Sequence, residues 1–325
     1  MPLTCELVDG VAAAAIASEI LRDAWTLPAI SYSADYMAWQ LGFPGPLPLR
    51  AAVAFEGSEP VGFAGASWRR MRCGDAVCHV ALVSFVGVRR NYRARGIGAR
   101  LYRRLLGFLR ETGTPIITFA ITGSAGETLL LREYAEGGFT IRSVGSYPGY
   151  HCLARTGMPA EGVTFAARPD DTEKVLSEVV SLCAADTEIL WSDPGPDQIR
   201  HYLSDPRPRV LLVSRSAANG APQAAWSVRL DIRSAGGDGT VTAVDSVWLP
   251  RTDDPAALRS FVWKASEWDT GSGPVVSLPS LYGYEAGDLR QLGIRQTGMP
   301  FRGYYCEPQA SCLPDTFRGT SLEIA

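Results

Sequence analysis

The chain has 325 residues, 46% of them hydrophobic and 20% charged, so it can build a sizeable core in one large domain or two ordinary ones. A formal net charge of −3 gives no general pull toward nucleic acid or an anionic membrane. Seven cysteines, an odd number with no C-x-x-C pair, and three histidines point to reduced cytosolic thiols and away from a zinc site. No metal is expected.

The N-terminus "MPLTCELVDG" lacks the basic start and long apolar stretch of a secretory signal, and "VAAAAIASEIL" is too short to span a bilayer. A cytoplasmic protein is expected. From residue 5, "CELVDGVAAAAIASEILRDAW" reads as a short strand, a polar turn and a helix. "SYSADYMAWQL" (31–41) reads as a second helix. "LRAAVAFEGSEPVGFAGASWRR" (49–70) places two apolar strands around a turn-rich break, a hairpin signal. "VALVSFVGV" (80–88) is a long apolar strand. "IGARLYRRLLGFLRET" (97–112) is amphipathic, with Ile97, Leu101, Leu105, Phe108 and Leu109 on one face. "PIITFAIT" (115–122) is another buried strand, and "AGETLLLREYAEGGF" (125–139) a helix closed by Gly137 or Gly138. Two further strands complete the first half. This order predicts an α/β fold with a mixed central sheet.

The second half repeats the first. "VTFAARPDDTEKVLSEVVSLCAA" (163–185), "LWSDPGPDQIRHYL" (190–203) and "PRVLLVSRSAANGAPQAAWSVRL" (208–230) run parallel to the three opening segments. Both halves close on a glycine-apolar step and a paired-aromatic segment ending at Cys152 or Cys306: "GGFTIRSVGSYPGYHCLA" (137–154) and "LGIRQTGMPFRGYYCEP" (292–308). The Gly- and Pro-containing "ARTGMPAEG" (154–162) marks the join, giving domains 1–155 and 160–325.

"RARGIGA" (93–99) lies between the long strand and the amphipathic helix. A glycine loop at a helix start offers backbone N–H groups without intrahelical partners and the positive end of the helix dipole, which together hold an anion. Gly96 and Gly98 are expected to permit positive φ and close approach of a bulky anion. The pattern is neither G-x-G-x-x-G nor G-K-[ST], and "PIITFAIT" carries no acid for a ribose.

"VGVRRNYRARGIGARLYRRLL" resembles motif A of the GNAT acyltransferases, with its R/Q-x-x-G-x-G/A core at Arg93, Ala94, Arg95, Gly96, Ile97 and Gly98, and "LREYAEGGF" resembles the family's later "LYEKLGF" segment. The resemblance covers residues 1–155, and the repeat makes the chain a tandem of two GNAT-like domains. It implies acyl-CoA, acetyl-CoA above all, as co-substrate. Backbone amides of Arg93, Ala94, Arg95, Gly96, Ile97, Gly98 and Ala99 would hold the pyrophosphate, and Val86 and Val88 would pair with the pantetheine amides as an added strand does. The family's tyrosine falls at Tyr134, which would protonate the leaving thiolate. The family's occasional strand glutamate falls at Leu82. Ser84 shares that face and would relay a proton through water; His79, His151 and Glu127 are the other candidate bases. Tyr32, Tyr36, Trp39, Tyr147, Tyr150 and His151 are candidate walls of the acceptor cleft.

In the second half the loop position reads "RTDDPAALRSFVWKASEW" (251–268), without glycines. Asp253 and Asp254 make a helix start but oppose phosphates, at about 4 kcal/mol per like-charge contact at 4 Å and an effective dielectric of 20. "GDLRQLGI" (287–294) lacks the tyrosine. Residues 160–325 read as a degenerate, supporting domain. The function expected is acyl transfer from acyl-CoA to the amine of a small molecule. The alternatives are a donor carried on an acyl carrier protein's phosphopantetheine, docked on Arg89, Arg90, Arg93, Arg95, Arg100 and Arg103, and a non-catalytic CoA-binding protein.

Overall fold

A computed structural model describes residues 2–25, 32–147, 150–153, 163–166, 172–183, 189–206, 209–216, 219–233, 240–248, 275–278, 294–296, 301–308 and 319–321. The first half runs β1 (Leu3–Asp9), α1 (Ala14–Ala24), α2 (Ala34–Leu41), β2 (Arg50–Glu56), β3 (Glu59–Cys73), β4 (Ala76–Val88), α3 (Ile97–Glu111), β5 (Ile116–Ile121), α4 (Ala125–Glu136), β6 (Thr140–Tyr147) and β7 (Tyr150–Leu153). This is the order the hydrophobic periods predict. The second half runs β8 (Val163–Ala166), α5 (Thr172–Cys183), β9 (Ile189–Ser192), α6 (Pro196–Leu203), β10 (Arg209–Ser216), β11 (Pro222–Arg233), β12 (Thr240–Trp248), β13 (Val275–Leu278), β14 (Ile294–Gln296), β15 (Phe301–Glu307) and β16 (Gly319–Ser321).

The described chain forms two compact units. The first comprises residues 1–71, 77–146 and 301–315, the second residues 72–76, 147–300 and 316–325. These units do not follow the 1–155 and 160–325 division drawn from the sequence. The first unit holds a mixed sheet in the order β1-β2-β3-β4-β5-β15-β6. Its sixth strand, β15, comes from the end of the second half and pairs antiparallel with β5, from Phe301 opposite Ile121 to Cys306 opposite Ile116. In the second unit, β12-β11-β10-β8 repeats the order of β4-β3-β2-β1, and β7, the last strand of the first half, lies between β13 and β14. The two paired-aromatic segments recognised as a repeat are the two exchanged strands. Each fills the same slot in the other half's sheet, so backbone groups on both of its edges are paired.

Local chemistry sets the first unit's elements. In α3, Ile97, Leu101, Leu105, Leu106 and Leu109 are buried, while Phe108 is only half-buried. Leu106 thus takes the place expected for Phe108 on the buried stripe, and α3 lies against β1 and β2. In α2 and α4 the N-caps Ser33 and Ser124 accept from the N–H groups of Tyr36 and Glu127. The C-terminus of α4 uses both of its glycines. Gly137 is the cap, Gly138 turns to φ +80°, and the Phe139 N–H returns to Tyr134 O at 3.1 Å, a Schellman closure. The helices α3 and α4 are clamped by Glu133, which is buried and accepts from Arg103 at 2.7 Å and Arg132 at 2.8 Å. Burial pushes its carboxyl pKa up, but the two arginines outweigh this and hold it below the ordinary value.

Candidate active site

The site begins where two parallel strands part. β4 and β5 pair only from Ala81/Ile116 to Val83/Thr118. Past Val83, β4 continues to Val88 without β5, whose far edge pairs with β15 from Ile116 to Ile121. Among the described residues, the edge of β4 that faces β5 is therefore left without a strand over residues 84–88. Thr118, buried at the fork, donates its hydroxyl to Val83 O at 2.9 Å. Ser84, Val86 and Val88 are half-buried, while Phe85 and Gly87 between them are buried. Burial alternates over residues 84–88, whereas residues 80–83 are all buried.

The open edge leads into the glycine loop. A 3₁₀ turn, Arg90–Tyr92, is followed by Ala94 at φ +61° and by Gly96 at φ +73°, the N-cap of α3. A non-glycine residue at positive φ stores strain. Positive φ was expected to serve both glycines, but only Gly96 has it. The first turn, Ile97, Gly98 and Ala99, contains no acid and receives no side-chain cap, unlike α2 and α4. Arg100 N makes the first intrahelical bond, to Gly96 O at 3.3 Å. A Cβ on Gly98 would meet only Leu129 Cδ2, at 3.5 Å, so packing alone does not require glycine there.

The arginines around the loop are mostly engaged. Arg93 donates to Val88 O at 3.4 Å and to Ala24 O. Arg95 pairs with Glu56 at 3.2 Å and lies over the Tyr92 ring. Arg89 binds Glu19 at 2.5 Å, and Arg90 binds Asp23 through both its backbone N–H and its Nε at 2.8 Å. With Arg103 held by Glu133, five of the six arginines suggested as a carrier-protein rim have partners within the fold. The loop's positive potential is then largely that of the helix end.

Tyr134 is fully buried on α4, edge-on to Tyr102 and Phe139 at 6.2 and 5.7 Å. Burial, with Cys306 and Tyr102 nearby, raises its pKa well above the ordinary tyrosine value, so it stays a neutral proton donor. The Thr118 hydroxyl lies within its electrostatic reach but outside hydrogen-bond geometry. Among the described residues, three buried hydroxyls have no hydrogen-bond partner: Ser84 Oγ, Thr122 Oγ1 and Tyr134 Oη. All three border the fork. Ser84 follows the last paired residue of β4, Thr122 follows the end of β5, and Tyr134 stands on the helix packed against β5.

The other candidates fall elsewhere. Leu82 is buried in the paired part of β4. His79 is exposed, edge-on to Trp68 at 6.4 Å, its pKa lowered by partial burial and by Arg70. Glu127 accepts from Tyr304 Oη at 2.5 Å and Gly123 N at 2.6 Å, which hold its carboxyl below the ordinary range. Such a carboxylate is a weak base. Tyr32, Tyr36 and Trp39 are buried in an aromatic row with Trp25 and Phe43, with Tyr36 stacked on Trp39 at 5.7 Å and Gln40 Nε2 donating to Tyr36 Oη at 2.8 Å. They pack on one another instead of lining an open cleft. Tyr147 ends β6; Tyr150 and His151 lie on β7 in the second unit, His151 in register with Ser277 and Arg295. The side chains of these three, and the second-half segments at 251–268 and 287–293, lie outside the described residues, as does the join at 154–162. Thr118 and Thr122 went unremarked in the sequence. Tyr304 was noticed only as part of the repeated aromatic segment, with no sign that its strand would enter the first unit.

Residues 15–134 match the Acetyltransferase (GNAT) family. No curated protein matches the chain. Among solved structures, a tandem GNAT protein from the clavulanic acid biosynthesis pathway shares the fold over 95% of this chain and 100% of its own, at TM-score 0.63 and 15% identity. A GCN5-related N-acetyltransferase from Anabaena variabilis shares it over 93% of this chain and 72% of its own, at TM-score 0.57 and 14% identity. One from Kribbella flavida does so over 94% and 71%, at TM-score 0.53 and 17% identity. The described residues contain no helix long and apolar enough to cross a membrane and no cluster of three or more metal-ligating side chains.

Proposed function

We propose that the protein transfers an acyl group, acetyl in the simplest case, from acyl-CoA to the amine of a small molecule by direct attack. The observation that carries this reading is the strandless edge of β4 at Ser84–Val88, running into an uncapped helix N-terminus. An extended, amide-bearing arm fits the first and a pyrophosphate fits the second. Gly98, small without a packing reason, leaves the first-turn N–H groups approachable.

Val86 and Val88 offer backbone groups to the two amides of the donor arm. Arg93–Ala99 cradle the phosphates with backbone N–H groups. Tyr134 holds a proton at Oη for the departing sulfur, and Ser84 Oγ orients the acceptor or a water beside it. Glu127 is no base here, so the amine must arrive neutral or lose its proton to water. Residues 160–325 serve as a supporting domain, and their strand β15 stands between β5 and β6 in the first unit's sheet.

The experiment is calorimetric titration with acetyl-CoA. Wild type binds and a Gly96→Glu/Gly98→Glu variant does not; a wild type that fails to bind, or a variant that binds equally, refutes the proposal. The carrier-protein alternative gains no support from the arginines, since most are already paired within the domain.

A further inference from the structure

The turn between β5 and α4 joins two observations that the reading above leaves unused. Thr122 Oγ1 is buried and unpartnered at the mouth of the fork. A buried hydroxyl without a partner costs free energy unless something else satisfies it. The turn that carries Thr122 is firmly held. Gly123 N donates to Glu127 Oε2 at 2.6 Å, Ser124 caps the helix at 3.0 Å, and Tyr304 Oη donates to Glu127 Oε1 at 2.5 Å. Tyr304 is buried on β15, the strand that the second half lends to this sheet, and lies in register with Thr118 of β5.

Strand geometry says what Thr122 would meet. Both strands run the same way from the last pair, Val83 with Thr118, so Thr122, four residues on, lies level with the end of β4 near Gly87. An extended chain laid along β4 points its amide groups alternately to its two edges. Half of them face β4, and the others face β5. There β5, whose far edge is taken by β15 along its whole length, has parted from β4 and comes to its end, and a side chain at that end can supply a partner.

We propose that Thr122 is a further ligand-contacting residue of the acyl-CoA site, satisfying the amide groups of the donor arm that face away from β4, and that Tyr304 is the positioning residue that holds it there through Glu127. This rests on the acyl-CoA reading. It gives the second half a definite part in the first half's chemistry.

The test is a double-mutant cycle on acetyl-CoA affinity, measured by calorimetry on the full chain, with adenosine 3′,5′-diphosphate as a probe that lacks the arm. Thr122→Val weakens acetyl-CoA binding about five- to tenfold, by the loss of one hydrogen bond, and leaves the diphosphate unaffected; Thr122→Ser restores the affinity. Tyr304→Phe weakens acetyl-CoA binding by a smaller factor, and the double variant binds no worse than Thr122→Val alone. Unchanged acetyl-CoA affinity in Thr122→Val, or loss in Thr122→Ser, overturns the contact. Additive losses, or no loss in Tyr304→Phe, overturn the positioning role. A variant that also loses the diphosphate has lost the site as a whole, and that too counts against a specific contact. Absence of acetyl-CoA binding by wild type overturns this proposal and the acyl-CoA reading together; every other adverse result leaves that reading standing.

Discussion

Gly98→Ala separates what the fold asks of the glycine loop from what a ligand asks of it. The new Cβ sits 3.5 Å from Leu129 Cδ2, ordinary contact distance, and position 98 lies in the first turn of α3. The fold should therefore gain about 0.5–1 kcal/mol, because alanine gives up less backbone entropy on entering a helix than glycine. At about 2–4 °C per kcal/mol, the midpoint of thermal unfolding without ligand rises by about 2 °C. The same methyl group intrudes on a pyrophosphate at the first-turn N–H groups. A tenfold loss of affinity corresponds to about 1.4 kcal/mol, so the extra stability conferred by saturating acetyl-CoA shrinks by that amount. Stability without ligand and stabilisation by ligand thus move in opposite directions. Gly96→Ala behaves differently: its Cβ meets nothing within 4 Å, but φ of +73° costs an alanine about 1–2 kcal/mol. Scanning calorimetry with and without acetyl-CoA reads both effects. Gly98→Ala that is stabilised by acetyl-CoA as much as wild type would refute the assignment of Gly98 to the phosphate site.

Tyr134→Phe removes a hydroxyl that has no hydrogen-bond partner, so unfolding should change little, acetyl-CoA affinity should hold, and turnover should fall about 10²–10⁴-fold, the span of a general acid; steady-state rates with an amine acceptor check this. Glu127 and Glu133 have folded-state pKa values below the ordinary 4.5, so their stabilisation is complete above that value and is lost as pH falls through the folded values. Denaturant midpoints should decline from about pH 4.5 downward, and Glu127→Gln should flatten the decline. Gly45→Ala would place a Cβ 2.1 Å from the Trp68 ring, whose Nε1 donates to Leu47 O at 2.7 Å; displacing the indole should cost about 1–3 kcal/mol in urea unfolding, and a neutral result would show that the 42–49 loop yields easily.

Much of the site was legible because it is local. A long apolar strand, a glycine loop and an amphipathic helix follow one another within about thirty residues, and each is set by the period or conformational demand of its own residues. Gly96 at positive φ and the Gly137–Gly138 closure are of this kind. The aromatic segment 31–41 shows where local reading stopped. Its composition suited a cleft wall as well as a core, and only the mutual stacking of Tyr32, Tyr36, Trp39 and Phe43 shows it to be core.

The sequence by itself determined the elements and their order, the duplication, and the single glycine loop, because periodicity, caps and turns act over a few residues. Tertiary structure alone decided where β7 and β15 go, where β4 parts from β5, and that Tyr304 stands beside Glu127. β7 and β15 carry the similar sequences "YHC" and "YYC", and each could fill either of two equivalent slots in a duplicated fold. Nothing within such a strand says which edge it will pair with. That choice follows from how the whole chain closes its backbone hydrogen bonds, and here it places part of the second half in the sheet that carries the proposed site.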